Sequence, residues 1–127
     1  MDERHSAKAG WWLGRTQSFA HAFRGLAICF RTQANARIHA LATVSVAALG
    51  FVLELAEWEW CAVVLAIAFV WSAECFNTAM EDMVDLVSPE RRALAGRIKD
   101  LAAGAVLAAA ISAAAVGAII FGPKLWG

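Results

Sequence analysis

The chain has 127 residues, 61% of them hydrophobic, a mean hydropathy of +0.59, and eleven basic residues balanced by eleven acidic ones. Apolar usage this far above the roughly 45–50% of a soluble domain points to a compact membrane protein, and the balanced charge, with no soluble reading domain, excludes nucleic-acid binding. Cys29, Cys61 and Cys75 are odd in number and share no short spacing, which excludes a disulfide frame or a metal knuckle and leaves reduced, packing thiols.

The first 37 residues carry six Lys or Arg and no long apolar core, so they do not read as a cleaved signal peptide. Residues 1–14 are mixed in character and expected to be partly mobile. Over 16–33, "TQSFAHAFRGLAICFRTQ", Phe19, Phe23, Leu26 and Phe30 recur on one helix face while Arg24 and Arg31 lie elsewhere. This segment is too polar to span a bilayer and amphipathic enough to lie on its cytoplasmic surface. The same periodicity also permits a helix packed under the bundle.

Three windows, 38–53, 60–73 and 101–123, contain no charged residue. Crossing a hydrocarbon core of roughly 30 Å takes about 20 residues. Only the last window is that long, so the expected spans, 36–55, 58–86 and 91–122, recruit charged residues at their ends. The second thereby takes in the acids of "AECFNTAMEDMVD". Basic residues precede the first span and follow the second, whereas the loop "ELAEWE" has none; the N-terminus is expected to be cytoplasmic and the C-terminus outside. Trp58, Trp60 and Trp126 then fall at the outer interface. In "VSPERR", Ser88 can cap the last helix and Pro89 suits its first turn. "GPK" is expected to end it, and its Ala-rich run predicts close helix packing within or between subunits.

On a helix, Glu74, Asn77, Thr78, Glu81 and Asp85 share one face, with Asp82 about 100° away. An ionised side chain near the bilayer centre costs at least about 2.5–3.5 kcal/mol, so a cation, a basic partner or protonation must compensate. "GRIKD" brings Arg97, Lys99 and Asp100 to the same membrane level. Hard carboxylate oxygens with an amide suit Mg²⁺, and a lysine suits a transferring phosphate. That arrangement fits phosphoryl transfer at a membrane surface. It also permits an ion or proton pathway, or acids that only pair structurally with a neighbouring helix. No P-loop, GxGxxG or protein-kinase signature is present, and His5, His21 and His39 are too dispersed for a zinc site.

"AECFNTAMEDMVDLVSPE" followed by "GRIKDLAAGAVLAA" resembles the prokaryotic integral-membrane diacylglycerol kinase and undecaprenol kinase family. The family's spaced Glu, Asn, Glu and Asp fall here on Glu74, Asn77, Glu81 and Asp85, and its Lys-Asp pair on Lys99 and Asp100. "SFAHAFRGL", "NARIH" and "FGPKLW" extend the likeness to residues 18–126. The resemblance implies an all-α inner-membrane protein: one lipid-kinase domain over 1–127, with three transmembrane helices, a surface helix, and a homotrimeric assembly with shared active sites. It implies ATP as donor with Mg²⁺, and a membrane lipid alcohol as acceptor. Glu74 would be the general base, Glu81 a Mg²⁺ ligand, and Asn77, Asp85, Lys99 and Asp100 the nucleotide and phosphate site; no residue is assigned to the lipid.

The chain departs from that family at Gln33, where a metal-binding Glu is usual, and at Ala36, where a Phe is usual. A neutral amide is a weaker Mg²⁺ ligand than a carboxylate, so Gln33 implies a loosely held second metal, a slower enzyme or an inactive relative. "ARIH", "SPE" and "FGPKLW" favour undecaprenol as substrate; the alternatives are diacylglycerol, or a degenerate, non-catalytic oligomer.

Overall fold

A computed structural model describes residues 3–90 and 92–127, with side chains from residue 13 onward; Arg91, where the last span was expected to begin, lies outside. The chain folds into four helices, α1 (Glu3–Thr32), α2 (Ala34–Val52), α3 (Glu57–Val87) and α4 (Ala93–Trp126). The last three are long and apolar enough to cross a membrane. At 1.5 Å per residue α2 is about 28 Å long, matching a hydrocarbon core, whereas α3 and α4 extend well beyond one.

Burial runs opposite to that of a water-soluble domain. Leu41, Phe51, Leu65, Phe69, Phe76, Leu101, Ile111 and Ile119 are all exposed, while the large side chains buried most completely are Glu74 and Cys29. Apolar surface facing outward costs nothing in lipid, and polar groups must then turn inward to be satisfied. The expected apolar face of α1, with Phe19, Phe23, Leu26 and Phe30, is likewise exposed.

α3 is the hub: it packs against α1, α2 and, most extensively, α4, whereas among the described residues α2 and α4 make no close backbone approach. The buried face of α3 changes character along its length, from Val63 and Val70 to Glu74, Asn77 and Thr78. A groove therefore runs between α2 and α4 with α3 as its floor, apolar at one end and polar at the other. Cys29 of α1 covers the polar end of α3, its Sγ 3.8 Å from Thr78 Oγ1.

The end of the bundle away from these acids is tightly built. Leu55 N–H bonds to the Gly50 carbonyl and Glu54 N–H to that of Phe51, a Schellman closure with Glu54 at φ 49°. A Cβ on Gly50 would lie 2.7 Å from the Trp60 ring and 2.9 Å from Leu55 Cδ1. The same ring stacks obliquely on Phe51, centroids 4.9 Å apart. Gly50→Ala is therefore expected to lower stability by about 1–3 kcal/mol, the usual cost of overpacking. Thermal unfolding in detergent at the parent's temperature would show instead that the ring yields freely.

Three local expectations change. α1 begins at Glu3, well ahead of residue 16, where the N-terminal helix was expected to start. Ser88 closes α3 instead of opening α4: its N–H bonds to the Val84 carbonyl, and Arg92 is the residue before α4. Nor does "GPK" stop α4, which continues through Pro123 to Trp126. A proline so near a helix end removes a single N–H bond, and the turn is held from outside by Lys124 Nζ, 3.1 Å from Glu59 Oε2. Glu59 Oε2 also accepts the Ala56 N–H at 2.8 Å, so one carboxylate ties the start of α3 to the end of α4.

Candidate active site

The polar end of the groove is a cleft of about 290 Å³ between the start of α2, the middle of α3 and the α4 residues Ala103, Val106, Leu107 and Ala110. The i, i+3, i+7 spacing of Glu74, Asn77 and Glu81 turns all three into it. Glu74 is 1% exposed, and neither of its carboxylate oxygens has a hydrogen-bond partner. The nearest cationic candidate is His39, with Nε2 3.7 Å from Glu74 Oε2, beyond hydrogen-bonding distance. A buried carboxylate with nothing to bond is costly, and its arrangement makes sense if a ligand supplies the missing donor.

Glu81 is framed by amides. Gln33 Nε2 donates to Oε2 and Asn77 Nδ2 to Oε1, each at 3.2 Å. The Asn77 carbonyl oxygen is itself buried without a partner. Gln33 thus reaches the same carboxylate as Asn77 from the junction of α1 and α2, placing the residue that departs from the family pattern directly in the site. Two carboxylates and an open amide oxygen are hard donors that fit Mg²⁺. Among the described residues no group of three His, Cys, Asp or Glu could hold a metal by itself, so phosphate and water oxygens would have to complete its shell.

One turn beyond Glu81, Asp85 lies in a second cleft, of about 400 Å³, with Ser88, Glu90, Arg92 and Lys99. Lys99 Nζ is 2.6 Å from Asp85 Oδ1, joining α3 to α4. Its ammonium is partly exposed, so the pair fixes a cation at the open edge. The structure therefore gathers Gln33, Glu74, Asn77 and Glu81 in one cleft and Asp85 with Lys99 in another. Asp100 joins neither: it is exposed, as are Asp82 and Arg97.

Two polar residues of this cleft, Asn35 and His39, are not among the site residues expected from the sequence. Their i, i+4 spacing on α2 is a usable signal that they share a face. Searching histidines only for zinc spacing passes over it.

Residues 20–121 match the family described as prokaryotic diacylglycerol kinase. The chain is 42% identical over 109 residues to the undecaprenol kinase of Bacillus subtilis, covering 86% of this chain and 89% of that protein. It is 40% identical over 109 residues to the diacylglycerol kinase of Synechocystis sp., covering 85% of this chain but 62% of that longer protein. A match spanning all three long helices, with relatives this similar along most of the sequence, leaves no ambiguity of kinship: the chain belongs to the prokaryotic diacylglycerol kinase family.

Proposed function

We propose that this protein is an ATP-dependent kinase of a membrane lipid alcohol, with undecaprenol preferred over diacylglycerol. The observation that carries the reading is Glu74, buried, with neither carboxylate oxygen hydrogen-bonded, and opening onto the cleft that also holds Asn77 and Glu81. Glu74 takes the proton from the lipid hydroxyl as its O–H bond breaks. The oxygen lone pair then forms the new bond to the γ-phosphorus of ATP, the bond to the β-phosphate oxygen breaks, and ADP leaves. Phosphoryl transfer asks a protein mainly for position and charge.

Glu81 and the Asn77 carbonyl oxygen would hold Mg²⁺ arriving with the nucleotide, which supplies neutralisation of the phosphate oxygens during transfer. Lys99, steadied by Asp85, binds nucleotide phosphate from the open edge; Asp100, exposed outside both clefts, is left without a role in this reading. Gln33 adds no negative charge to this set, so a second metal would be held weakly. Cytoplasmic ATP and a bilayer-bound alcohol can meet only at the membrane edge, which supports placing these residues and the N-terminus on the cytoplasmic side of the inner membrane and the C-terminus outside. α1 would then lie along that surface. Exposed Ala105, Ala108, Ala115 and Ala118 on α4 offer a close-packing face for a homotrimer.

The preference for undecaprenol rests on the 42% identity to a relative of that name, matched over nearly its whole length. The test is transfer of labelled phosphate from ATP with Mg²⁺ in mixed micelles, undecaprenol and diacylglycerol being supplied separately. Undecaprenyl phosphate should form preferentially, and Glu81→Ala should abolish it. Product from neither lipid would favour the degenerate reading, with Gln33 as its first suspect; faster phosphorylation of diacylglycerol would reverse the assigned preference.

A further inference from the structure

Each phosphoryl transfer leaves a proton behind. A glutamate that activates a lipid hydroxyl ends the chemical step as a carboxylic acid, and it must become a carboxylate again before the next turnover. Glu74 cannot shed that proton by itself. It is closed off from solvent, and neither of its oxygens has a hydrogen-bond partner to carry the proton away.

Among the residues lining the cleft, one side chain can receive it. Gln33, Asn35 and Asn77 are amides with no basic nitrogen, and α4 contributes only apolar residues. The one other ionisable group there, Glu81, already accepts an amide N–H on each oxygen. His39 is the remaining candidate. Its Nε2 stands 3.7 Å from Glu74 Oε2, and its side chain is 19% exposed against 1% for the glutamate, so it bridges the buried acid and the solvent edge. The gap is longer than a hydrogen bond; catalytic contacts of this length tighten in the substrate complex or pass through one water. The α2 turn that carries the ring is held in place. Thr43 Oγ1 donates to the His39 carbonyl at 2.7 Å and accepts from Trp71 Nε1 at 3.2 Å, tying that turn to α3.

We propose that His39 is the proton exit of the catalytic cycle, relaying to solvent the proton that Glu74 takes from the lipid hydroxyl. After the new O–P bond has formed, the O–H bond on Glu74 Oε2 breaks and an N–H bond forms at His39 Nε2. Glu74 returns to a carboxylate, and the imidazolium gives one proton to water. One proton thus leaves for each lipid phosphorylated. Imidazole gains and loses a proton near neutral pH, which neither the amides nor an isolated buried acid can do. The inference rests on the kinase reading above, and His39 acts through Glu74 without touching the reacting atoms.

Rapid-quench kinetics with labelled ATP, Mg²⁺ and undecaprenol in mixed micelles test this, because a proton exit acts after the chemical step. His39→Gln should complete its first turnover at close to the parent rate and then slow by at least about tenfold, giving a burst of one product per site. Added imidazole should restore part of the steady-state rate in His39→Gln and none in Glu74→Gln, where the first turnover is already lost. A parent enzyme that phosphorylates no lipid would sink the kinase reading itself. An active parent with His39→Gln at the parent steady-state rate would overturn the relay alone, and the proton would then leave with a product. So would a first turnover slowed as much as the later ones without rescue by imidazole, which would make His39 a structural residue. If His39→Gln fails to fold, the unsubstituted protein decides. Blocking the His39 ring with diethyl pyrocarbonate, mapped by mass spectrometry and reversed with hydroxylamine, should produce the same burst, and its absence would refute the relay.

Discussion

Glu74→Gln is expected to reduce kcat for lipid phosphorylation by about 100- to 10,000-fold, the range lost with a positioned general base, without any loss of stability. The two halves of that expectation come from the same fact. Glu74 is buried with both carboxylate oxygens unbonded. As a purely structural ion-pair partner it would resist removal, because deleting one member of a buried pair strands the other. Here the candidate partner among the described residues is weak: His39 Nε2 stands 3.7 Å from Glu74 Oε2, beyond hydrogen-bonding distance, pairs with it only when protonated, and is itself partly accessible. Exchanging a buried acid for an amide of the same shape removes a charge that the membrane penalises, so the melting temperature in detergent should hold or rise. A site kept at the expense of stability is what function requires. Loss of activity accompanied by a clear loss of stability would instead assign Glu74 to structure, and full activity in Glu74→Gln would remove it from the chemistry.

What could be read beforehand follows the reach of helical periodicity. Glu74, Asn77 and Glu81 are three and four residues apart, and one helix sets their common face whatever surrounds it. Four helices, three of them long and apolar enough to span, were legible because lipid demands long apolar runs. Contacts between distant segments were not. Gln33 stood out as a departure, yet its bond to Glu81 spans 48 positions and depends on how α1 turns into α2. His39 becomes part of the site only because α2 and α4 stay apart. Ser88 and Pro123 misled locally for a related reason: each is a good boundary signal, but the Glu59 to Lys124 pair carries α4 past its proline. Asp100 shows the opposite limit, since adjacency in sequence to Lys99 turns a side chain about 100° away on a helix. It stands exposed outside both clefts.

Lys99→Met is expected to separate catalysis from stability at the other end of the site. The pair it forms with Asp85 is short, 2.6 Å, but open to water, the two side chains being 38% and 66% exposed. Pairs of that kind contribute about 0–1 kcal/mol to folding, and water can solvate Asp85 once the lysine is gone, so the unfolding temperature should barely move. Catalysis is another matter. A fixed cation aimed at phosphate oxygens is worth about 3–4 kcal/mol in comparable charge-stabilising roles, and its loss should raise the KM for ATP and lower kcat/KM by about 100- to 1,000-fold. Lys99→Arg keeps the charge on a planar fork that cannot place it at the same point, and should recover part of that loss. The acceptor side offers an internal control, because the KM for the lipid should not change when a residue at the nucleotide edge is replaced. Equal losses toward ATP and lipid would mean that Lys99 holds α3 against α4 and acts on the whole site through that contact, and near-normal kcat/KM in Lys99→Met would leave the phosphates to be bound elsewhere.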